Sequence, residues 1–525
     1  MAEFLSLLDS LSARGGDSLR GIRRGLEKET LRVTPGGRLA KTPHPVSLGS
    51  ALTHPHITTD FSEALLEFIT PPCASIHEMM NWLDEIHRFS ANKLKEQNEL
   101  LWLSSMPCVI DGDDSIAIAQ YGSSNVAKMK HIYRVGLGHR YGRSMQTIAG
   151  IHYNFSLPDD FWRVLQGIEN RHDALQNYKT EKYFSLIRNF RRYFWLLLYL
   201  FGSAPALCPS FVKNRQHSLQ KFQEKSLYAP YATSLRMGNL GYQSKAQELL
   251  TVNYNSLGEY IQTLLSGLTI PHPDYEKIGV KINDEYRQLN ANLLQIENEF
   301  YSTIRPKRTV DYGEAPIRAL KERGVEYIEV RSIDVNPFDL LGIDATQAHF
   351  VEAFLLFCLL EPSPPSNADE YKQIAENQRQ VVSNGRDPLL EIYCHQQKVS
   401  LRSCGTQLLH KIKLCGDLLS QSTGDKAYRE CFPPQYEKIS NSQKTPSAHL
   451  LEKMSSEQLS FYDLVLKQSQ QHCRDFISRP LNREQQGYFD HLRALSLAEQ
   501  LDIEQNDKLP FDQYLQNYFQ QYQNL

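Results

Sequence analysis

Hydrophobic positions along the chain change period several times, and each change predicts an element. Phe4, Leu5, Leu7, Leu8 and Leu11 recur at helical spacing and predict an amphipathic helix over 3–14. From about residue 20 to 70 the pattern turns to strands and turns, with a hairpin at Gly36-Gly37 and Pro71-Pro72 closing the last strand. Ser75, with Glu78 three residues later, is a capping-box signature. It opens a helix running to about Asn98, with Met79, Leu83, Ile86 and Phe89 on its inner side. Ile151, Tyr153 and Phe155 alternate with His152, Asn154 and Ser156, so 148–157 reads as a strand. A helical block over about 161–200, a Tyr- and Gly-containing loop region over about 203–242 and more helix to about Gly267 come next. Segments 295–304 and 325–332 read as further strands. Beyond about Ala345 the pattern is mostly helical, broken by Glu361-Pro362-Ser363-Pro364-Pro365, and the tail after Phe511 is rich in Gln and Tyr. No internal repeat is present.

Long helical insertions separate the strands, where a doubly wound parallel sheet would show regular βα alternation. The expectation is an α+β protein whose curved antiparallel sheet carries the site, with a catalytic core at 1–345 and a helical C-terminal region at 346–525 packed on it. The 525 residues are enough to bury a large core without staples. The formal charge of -3 supplies no basic field for nucleic acid or an anionic membrane. The most apolar run, 193–201, is far shorter than the ~20 residues of a membrane span, so a buried helix is expected there. The N-terminus lacks a basic segment before an apolar core, which argues against a signal peptide and for a cytoplasmic protein. Nine cysteines lie at scattered positions with no Cys-x-x-Cys, which excludes zinc-ribbon and thioredoxin signatures. Reduced thiols are the expected state, with a regulatory disulfide left open.

Chemistry concentrates in four segments. In a strand, alternate residues share a face, so Glu27 pairs with Glu29, His152 with Asn154, and Glu329 with Arg331. Asp60 precedes Ala64-Leu65-Leu66-Glu67-Phe68-Ile69, where Glu67 interrupts an apolar run. Buried carboxylates repel one another unless cations hold them, and hard oxygen ligands in this number call for Mg²⁺ or Mn²⁺, which in enzymes commonly serve phosphates. A guanidinium such as Arg331 beside them suits a transferring phosphoryl group. Each segment also has a plainer reading. Glu27 and Glu29 fit a solvated strand face, and Glu67 fits a structural ion pair or an exposed helix position. His152 fits a satisfied core residue, and Glu329–Arg331 an internal salt bridge. Arg305, Lys307 and Arg308 fit either a phosphate contact or a solvated loop, and Arg236 either a carboxylate clamp or a loop residue. Neither a phosphate-binding glycine loop nor a dinucleotide fingerprint occurs.

Taken together, Arg23-Arg24-Gly25-Leu26-Glu27-Lys28-Glu29-Thr30-Leu31-Arg32, Ile57-Thr58-Thr59-Asp60-Phe61 with Ala64-Leu65-Leu66-Glu67-Phe68-Ile69-Thr70-Pro71, Gly150-Ile151-His152-Tyr153-Asn154-Phe155-Ser156, Tyr231-Ala232-Thr233-Ser234-Leu235-Arg236, Ile304-Arg305-Pro306-Lys307-Arg308 and Tyr327-Ile328-Glu329-Val330-Arg331-Ser332 resemble the proteobacterial glutamate–cysteine ligase family. The resemblance spans about 20–345, with six motifs in order. It implies a glutamine-synthetase-like core whose curved antiparallel sheet forms a funnel. It also implies ATP- and Mg²⁺-dependent joining of the glutamate γ-carboxylate to the cysteine α-amine through γ-glutamyl phosphate, the first step of glutathione synthesis. By the same resemblance Glu27, Glu29, Asp60, Glu67, His152 and Glu329 surround the metals, and Arg331 faces the transferring phosphoryl group, with Glu329 and His152 beside it. Tyr242 and Tyr301 meet the cysteine carboxylate, and Phe61, Tyr133, Leu137 and Gln146 form its side-chain pocket. Arg134, Asn154 and Arg236 touch substrate. The expected partners are L-glutamate, L-cysteine and ATP, with no nucleic acid, no membrane and a monomeric state. Another carboxylate–amine ligase of the same fold, a non-catalytic metabolite sensor and a metal-dependent phosphohydrolase are the alternatives.

Overall fold

The computed structural model describes residues 2–213, 215–241, 250–523 and 525. A seven-stranded antiparallel sheet organises it: β1 (Arg23–Val33), β2 (Ile57–Thr59), β3 (Leu65–Ile69), β4 (Leu100–Trp102), β5 (Gly150–Ser156), β6 (Ile304–Lys307) and β7 (Tyr327–Asp334). The order is β6-β7-β5-β1-β3-β2, and β4 pairs with the end of β1. The architecture is thus α+β with a large antiparallel sheet and a helical C-terminal region, as the spacing of strands and helical insertions predicts.

Register decides which side chains meet. Glu27 lies opposite His152 and Glu29 opposite Glu67, while Glu329 lies between Asn154 of β5 and Arg305 of β6. The intervening residues Leu26, Lys28, Tyr153, Phe68 and Val330 occupy the other face and are buried. That back face packs on helices. The helix Ala345–Leu360 is mostly apolar all round and buried from Gln347 onward, which suits a helix in the middle of a core. Its one acidic residue, Glu352, accepts from Arg24 Nε (2.7 Å) and Nη2 (3.0 Å), from Tyr153 Oη (2.7 Å) and from Tyr428 Oη. Lys28, also on the back face, bonds His87 of the helix Ile76–Glu96 at 2.8 Å.

Local signals account for most boundaries. Ser75 caps its helix by accepting from Glu78 N, but the Glu78 carboxylate reaches Ala74 N, one residue before the position a capping box uses. Gly37 takes φ +74 in the predicted hairpin turn. The run 193–201 forms the end of one helix and the buried helix Trp195–Phe201. No helix among the described residues is long and apolar enough to cross a membrane.

Three expectations are corrected. Segment 295–304 is not a strand before Ile304. Glu297–Glu299 is a 3-10 turn, because Gln295 bonds Leu289 N and Tyr133 O and Glu299 bonds Arg140, which replaces ladder hydrogen bonds with side-chain ones. The region expected as loop after residue 203 contains a small three-stranded sheet, Ala206–Leu207, Gln220–Phe222 and Ser226–Tyr228. The thiols are not all reduced: Cys394 and Cys404 form a disulfide with Cα atoms 6.5 Å apart, while Cys73, Cys108, Cys208, Cys358, Cys415, Cys431 and Cys473 are free and buried. The pairing follows from an unpredicted hairpin, Glu391–Cys394 with Gln397–Ser400, which delivers the chain into the helix Leu401–Thr423.

Candidate active site

The front face of the sheet forms the floor of a cavity of about 790 Å³. Glu27 and Glu29 of β1, Glu67 of β3, His152 of β5 and Glu329 and Arg331 of β7 line it, and Asp60 joins them from the turn after β2. One ligand atom each from Glu27, Glu67 and His152 lies within 4.8 Å of the others. His152 Nδ1 is 3.2 Å from Glu27 Oε2 and 3.6 Å from Glu329 Oε1, and its Nε2 is 3.8 Å from Glu29 Oε1. Asn154 stands one step back and donates to Glu27 Oε1 at 2.8 Å. Gly150 N donates to Glu29 Oε2 at 2.6 Å, and a Cβ at Gly150 would come within 2.8 Å of Arg236 Nη1, so this position admits the guanidinium because it is glycine.

Charge is divided across the floor. Burial, and then Asp60, push the Glu29 carboxyl up to about 8, and burial with Glu27, Asp60 and Glu29 raises Glu67 well above the usual carboxylate range. Burial works against ionised Glu329 too, yet Lys307, Arg331, His152 and Arg305 together hold it well below that range. Glu27 is opposed by burial and by Glu329, but the His152 hydrogen bond and Lys307 prevail and lower it. Burial and Arg331 lower His152, which keeps the imidazole neutral at pH 7. With the Nδ1 proton directed at Glu27, the Nε2 lone pair faces the Glu29 carboxyl, and a cation between them would take the place of the Glu29 proton. Glu329 Oε2 and Asn154 Oδ1 are buried without a hydrogen-bond partner. This donor set of hard oxygens with one imidazole nitrogen fits a small divalent cation.

The walls add the remaining predicted residues. Phe61, Tyr133, Arg134, Leu137, Gln146, Arg236 and Tyr301 all line the cavity. Arg236 also holds Asp334 Oδ1 at 2.7 Å, and Arg134 donates to the carbonyl of Asp60 while covering the Tyr121 ring at 4.8 Å. Burial pushes the Tyr301 phenol up to about 12. Tyr242 lies outside the described residues. Arg305 and Lys307, read from sequence as either phosphate contact or solvated loop, face the cavity from β6.

Sequence reasoning named Tyr133, Arg134 and Leu137 of one wall but not the helix that carries them. The helix Asn125–Tyr141 also turns Val126, Met129, Lys130 and Tyr141 to the cavity, a stripe at helical period that was available to find it. Ile503, Tyr514 and Tyr518 reach the cavity from the C-terminal helices Arg483–Asn506 and Phe511–Gln523, and no local signal pointed to them.

Comparison with known proteins bears on this arrangement. A family model described as glutamate-cysteine ligase matches residues 8–381. The chain is 48% identical over 514 residues to a glutamate–cysteine ligase of Alcanivorax borkumensis, covering 97% of this chain and 98% of the relative. It is 47% identical over 518 residues to one of Pseudomonas putida, covering 99% and 98%. Among solved structures, a glutamate–cysteine ligase of Francisella tularensis in complex with AMP superposes with a TM-score of 0.90 at 35% identity, covering 96% of this chain and 98% of that one. A bifunctional glutathione synthetase of Pasteurella multocida matches with a TM-score of 0.71 at 26% identity, covering 90% of this chain and 55% of that one.

Proposed function

The chain belongs to the glutamate–cysteine ligase family, and from that premise we propose how its cavity carries out the reaction. The protein is an ATP-dependent glutamate–cysteine ligase, acting at the first step of glutathione synthesis. A carboxylate is a poor acyl donor because its oxygen is a poor leaving group. In the proposed route a γ-carboxylate oxygen of glutamate attacks the terminal phosphorus of ATP and ADP leaves. The cysteine α-amine then attacks the acyl carbon of γ-glutamyl phosphate, loses a proton, and inorganic phosphate departs.

The observation that carries this reading is the convergence of Glu27, Glu29, Asp60, Glu67, His152 and Glu329 beside Arg331 on one cavity floor. Mg²⁺, with Mn²⁺ as a substitute, is the cation those six groups would hold, and when bound it would neutralise phosphate charge. Arg331, held at 3.1 Å from Glu329 and flanked by Arg305 and Lys307, presents a fixed cationic edge to the phosphoryl group. Arg134, Asn154 and Arg236 orient the substrates. Tyr301, with Tyr242, receives the cysteine carboxylate, and Phe61, Tyr133, Leu137 and Gln146 enclose the cysteine side chain. The enclosing walls keep water from the acyl phosphate. We read the curved sheet as a glutamine-synthetase-like funnel over residues 1–345 supported by the helices of 346–525, and the protein as a cytoplasmic monomer that binds neither nucleic acid nor membrane.

Glutamate carrying ¹⁸O in its γ-carboxylate tests the route. Incubation with ATP, Mg²⁺ and cysteine should yield γ-glutamylcysteine by mass, with one labelled oxygen transferred to inorganic phosphate per product. Label in AMP would overturn phosphoryl transfer, and dipeptide formation without transferred label would exclude an acyl phosphate. Phosphate release with no dipeptide would reject the ligase.

A further inference from the structure

A short segment joins the proposed amine pocket to the sheet. It leaves the 3-10 turn Glu297–Glu299, passes Phe300 and Tyr301, and enters β6 at Ile304. Asn298, Glu299 and Tyr301 line the cavity, Tyr301 as the proposed receiver of the cysteine carboxylate. A turn of this kind gives its carbonyls no ladder partners, and such groups need a donor from elsewhere. Among the described residues, the carbonyls of Asn298 and Phe300 accept from one donor, Arg305 Nη2, at 2.9 Å in the case of Asn298. That single nitrogen bridges the peptides on either side of Glu299, directly before Tyr301.

The other side of Arg305 belongs to the phosphoryl end. Arg305 is 8% exposed and stands on β6 opposite Glu329 of β7. Its Nε and Nη1 make no hydrogen bond among the described residues, and the residue lines the cavity. Arg331 N donates to Thr303 O at 2.9 Å, which pins the far end of the same segment to the strand carrying the phosphoryl-facing guanidinium. We propose that Arg305 is a positioning residue that couples the two half-reactions, holding Tyr301, and with it the amine, in line with an acyl carbon whose phosphate lies at Glu329 and Arg331. The proposal rests on the phosphoryl-transfer and amine-pocket readings above. The chemistry gives such a link its purpose. When γ-glutamyl phosphate meets no amine, a water oxygen bonds the acyl carbon and the acyl C–O bond to phosphate breaks. Glutamate, inorganic phosphate and a proton are released, and one ATP has been consumed for nothing.

Arginine suits this place where lysine would not. A planar guanidinium aims the two N–H bonds of one nitrogen at two carbonyls while its other nitrogens point elsewhere; an ammonium is a point charge on a flexible stem. The rest of the segment is fastened from outside the cavity. Tyr254 Oη and Ser302 Oγ share a hydrogen bond of 2.9 Å, and Ser302 Oγ donates to Ile304 O at 2.5 Å. Glu297 accepts from Tyr522 Oη and, at 2.9 Å, from Ile317 N, while Glu299 accepts from Arg140 Nη1 at 2.8 Å. With both ends fixed in this way, Arg305 holds the middle of the turn from the cavity side. A turn fixed before the amine arrives leaves little to be ordered on binding.

The test uses full-length protein with Arg305→Lys and Arg305→Met, and reads KM values together with the ratio of ADP to γ-glutamylcysteine. Both variants should raise KM for cysteine about tenfold, the loss of one charge-assisted fork. Both should also form ADP in excess of dipeptide at cysteine concentrations where wild type gives one ADP per dipeptide. In Arg305→Lys, which keeps the charge beside Glu329 but not the fork, KM for ATP should change by less than about twofold. Tyr254→Phe loosens the same segment from outside the cavity and should raise KM for cysteine about threefold without moving KM for ATP. An arginine that serves the fold alone would lower the melting temperature and kcat with both KM values unchanged, and that result overturns the proposal. So does Arg305→Lys behaving as wild type, a parallel rise in KM for ATP and cysteine, or a ratio that stays at one in both variants. If neither Arg305 variant folds, Tyr254→Phe decides, and an unchanged KM for cysteine there overturns the proposal. Failure of the underlying reading looks different: wild type would then form no γ-glutamylcysteine, or Tyr301→Phe would leave KM for cysteine unchanged.

Discussion

Replacing Glu352 by glutamine perturbs the active site from behind the sheet. Glu352 is completely buried, Arg24 is 4% exposed, and their two hydrogen bonds form a bidentate pair closed by two tyrosine hydroxyls. Glutamine keeps the shape and one acceptor but puts an amide donor where Arg24 and Tyr428 already donate. The Arg24 charge then stays buried without its counter-ion, a change worth about 3–5 kcal/mol. Burial alone would raise the Glu352 carboxyl, but the Arg24 charge and hydrogen bond, with those of Tyr428 and Tyr153, hold it below its ordinary value of 4.5. A lowered carboxylate contributes stability that is present above the unfolded value and vanishes as pH falls through the folded one. Urea unfolding of wild type and Glu352→Gln, followed by tryptophan fluorescence, should therefore differ by about 3–5 kcal/mol at pH 7, with the gap narrowing as pH falls below 4.5 through the lowered folded-state value of Glu352. Arg24 lies three residues before Glu27, and Tyr153 lies between His152 and Asn154, so the variant should also need more Mg²⁺ for half-maximal activity. A difference under about 1 kcal/mol at pH 7, or a gap that does not shrink in acid, would refute the account of this pair as a buried ionic strut.

Divalent cation binding should release protons. With Glu29 raised to about 8, that residue holds roughly nine-tenths of a proton at pH 7 and about a tenth at pH 9. Calorimetry of Mg²⁺ binding in buffers of different ionisation enthalpy should report at least about one proton released at pH 7, with Glu67 adding to it, and less at pH 9; zero release at pH 7 contradicts the charge division described. Folded Glu29 keeps a proton that the unfolded chain gives up above 4.5, so the metal-free protein should lose stability as pH rises from about 4.5 to 8, and Mg²⁺ should restore it. Glu67→Gln should lower kcat/KM by about 10² or more while raising the metal-free melting temperature, since it removes a ligand together with a buried carboxyl that must take up a proton on folding; a variant that melts lower would count against that cost at Glu67.

The strands of the site were legible because period-two alternation survives burial. His152 and Asn154 sit between Ile151, Tyr153 and Phe155, and the pleat sends the two sets to opposite faces. Glu67 was ambiguous from sequence, since Glu63 and Glu67 also fit one helical face, and only pairing with β1 resolves it. Alternation said nothing about which strands are neighbours, so the meeting of Glu29 with Glu67 was unreadable locally. The hairpin at 391–400 was missed for a specific reason: its two-residue turn is His395-Gln396, with φ +49 and +67, where the usual signal is Asn-Gly. The 3-10 turn at Glu297–Glu299 was missed because its partners, Arg140 and Tyr522, are far away in sequence. Tyr514 and Tyr518 were invisible as wall residues for the same reason.

β1 alone contributes Glu27 and Glu29 to the front and Arg24 and Lys28 to the back, with partners on both flanks. One residue inserted or deleted within it would send the two carboxylates against the core helices and present Lys28 to the cavity. Viable length variation among descendants of this chain is therefore confined to the stretches between strands, which is where its long helical excursions already lie, and the spacing within 23–33 is the part of the chain least able to drift.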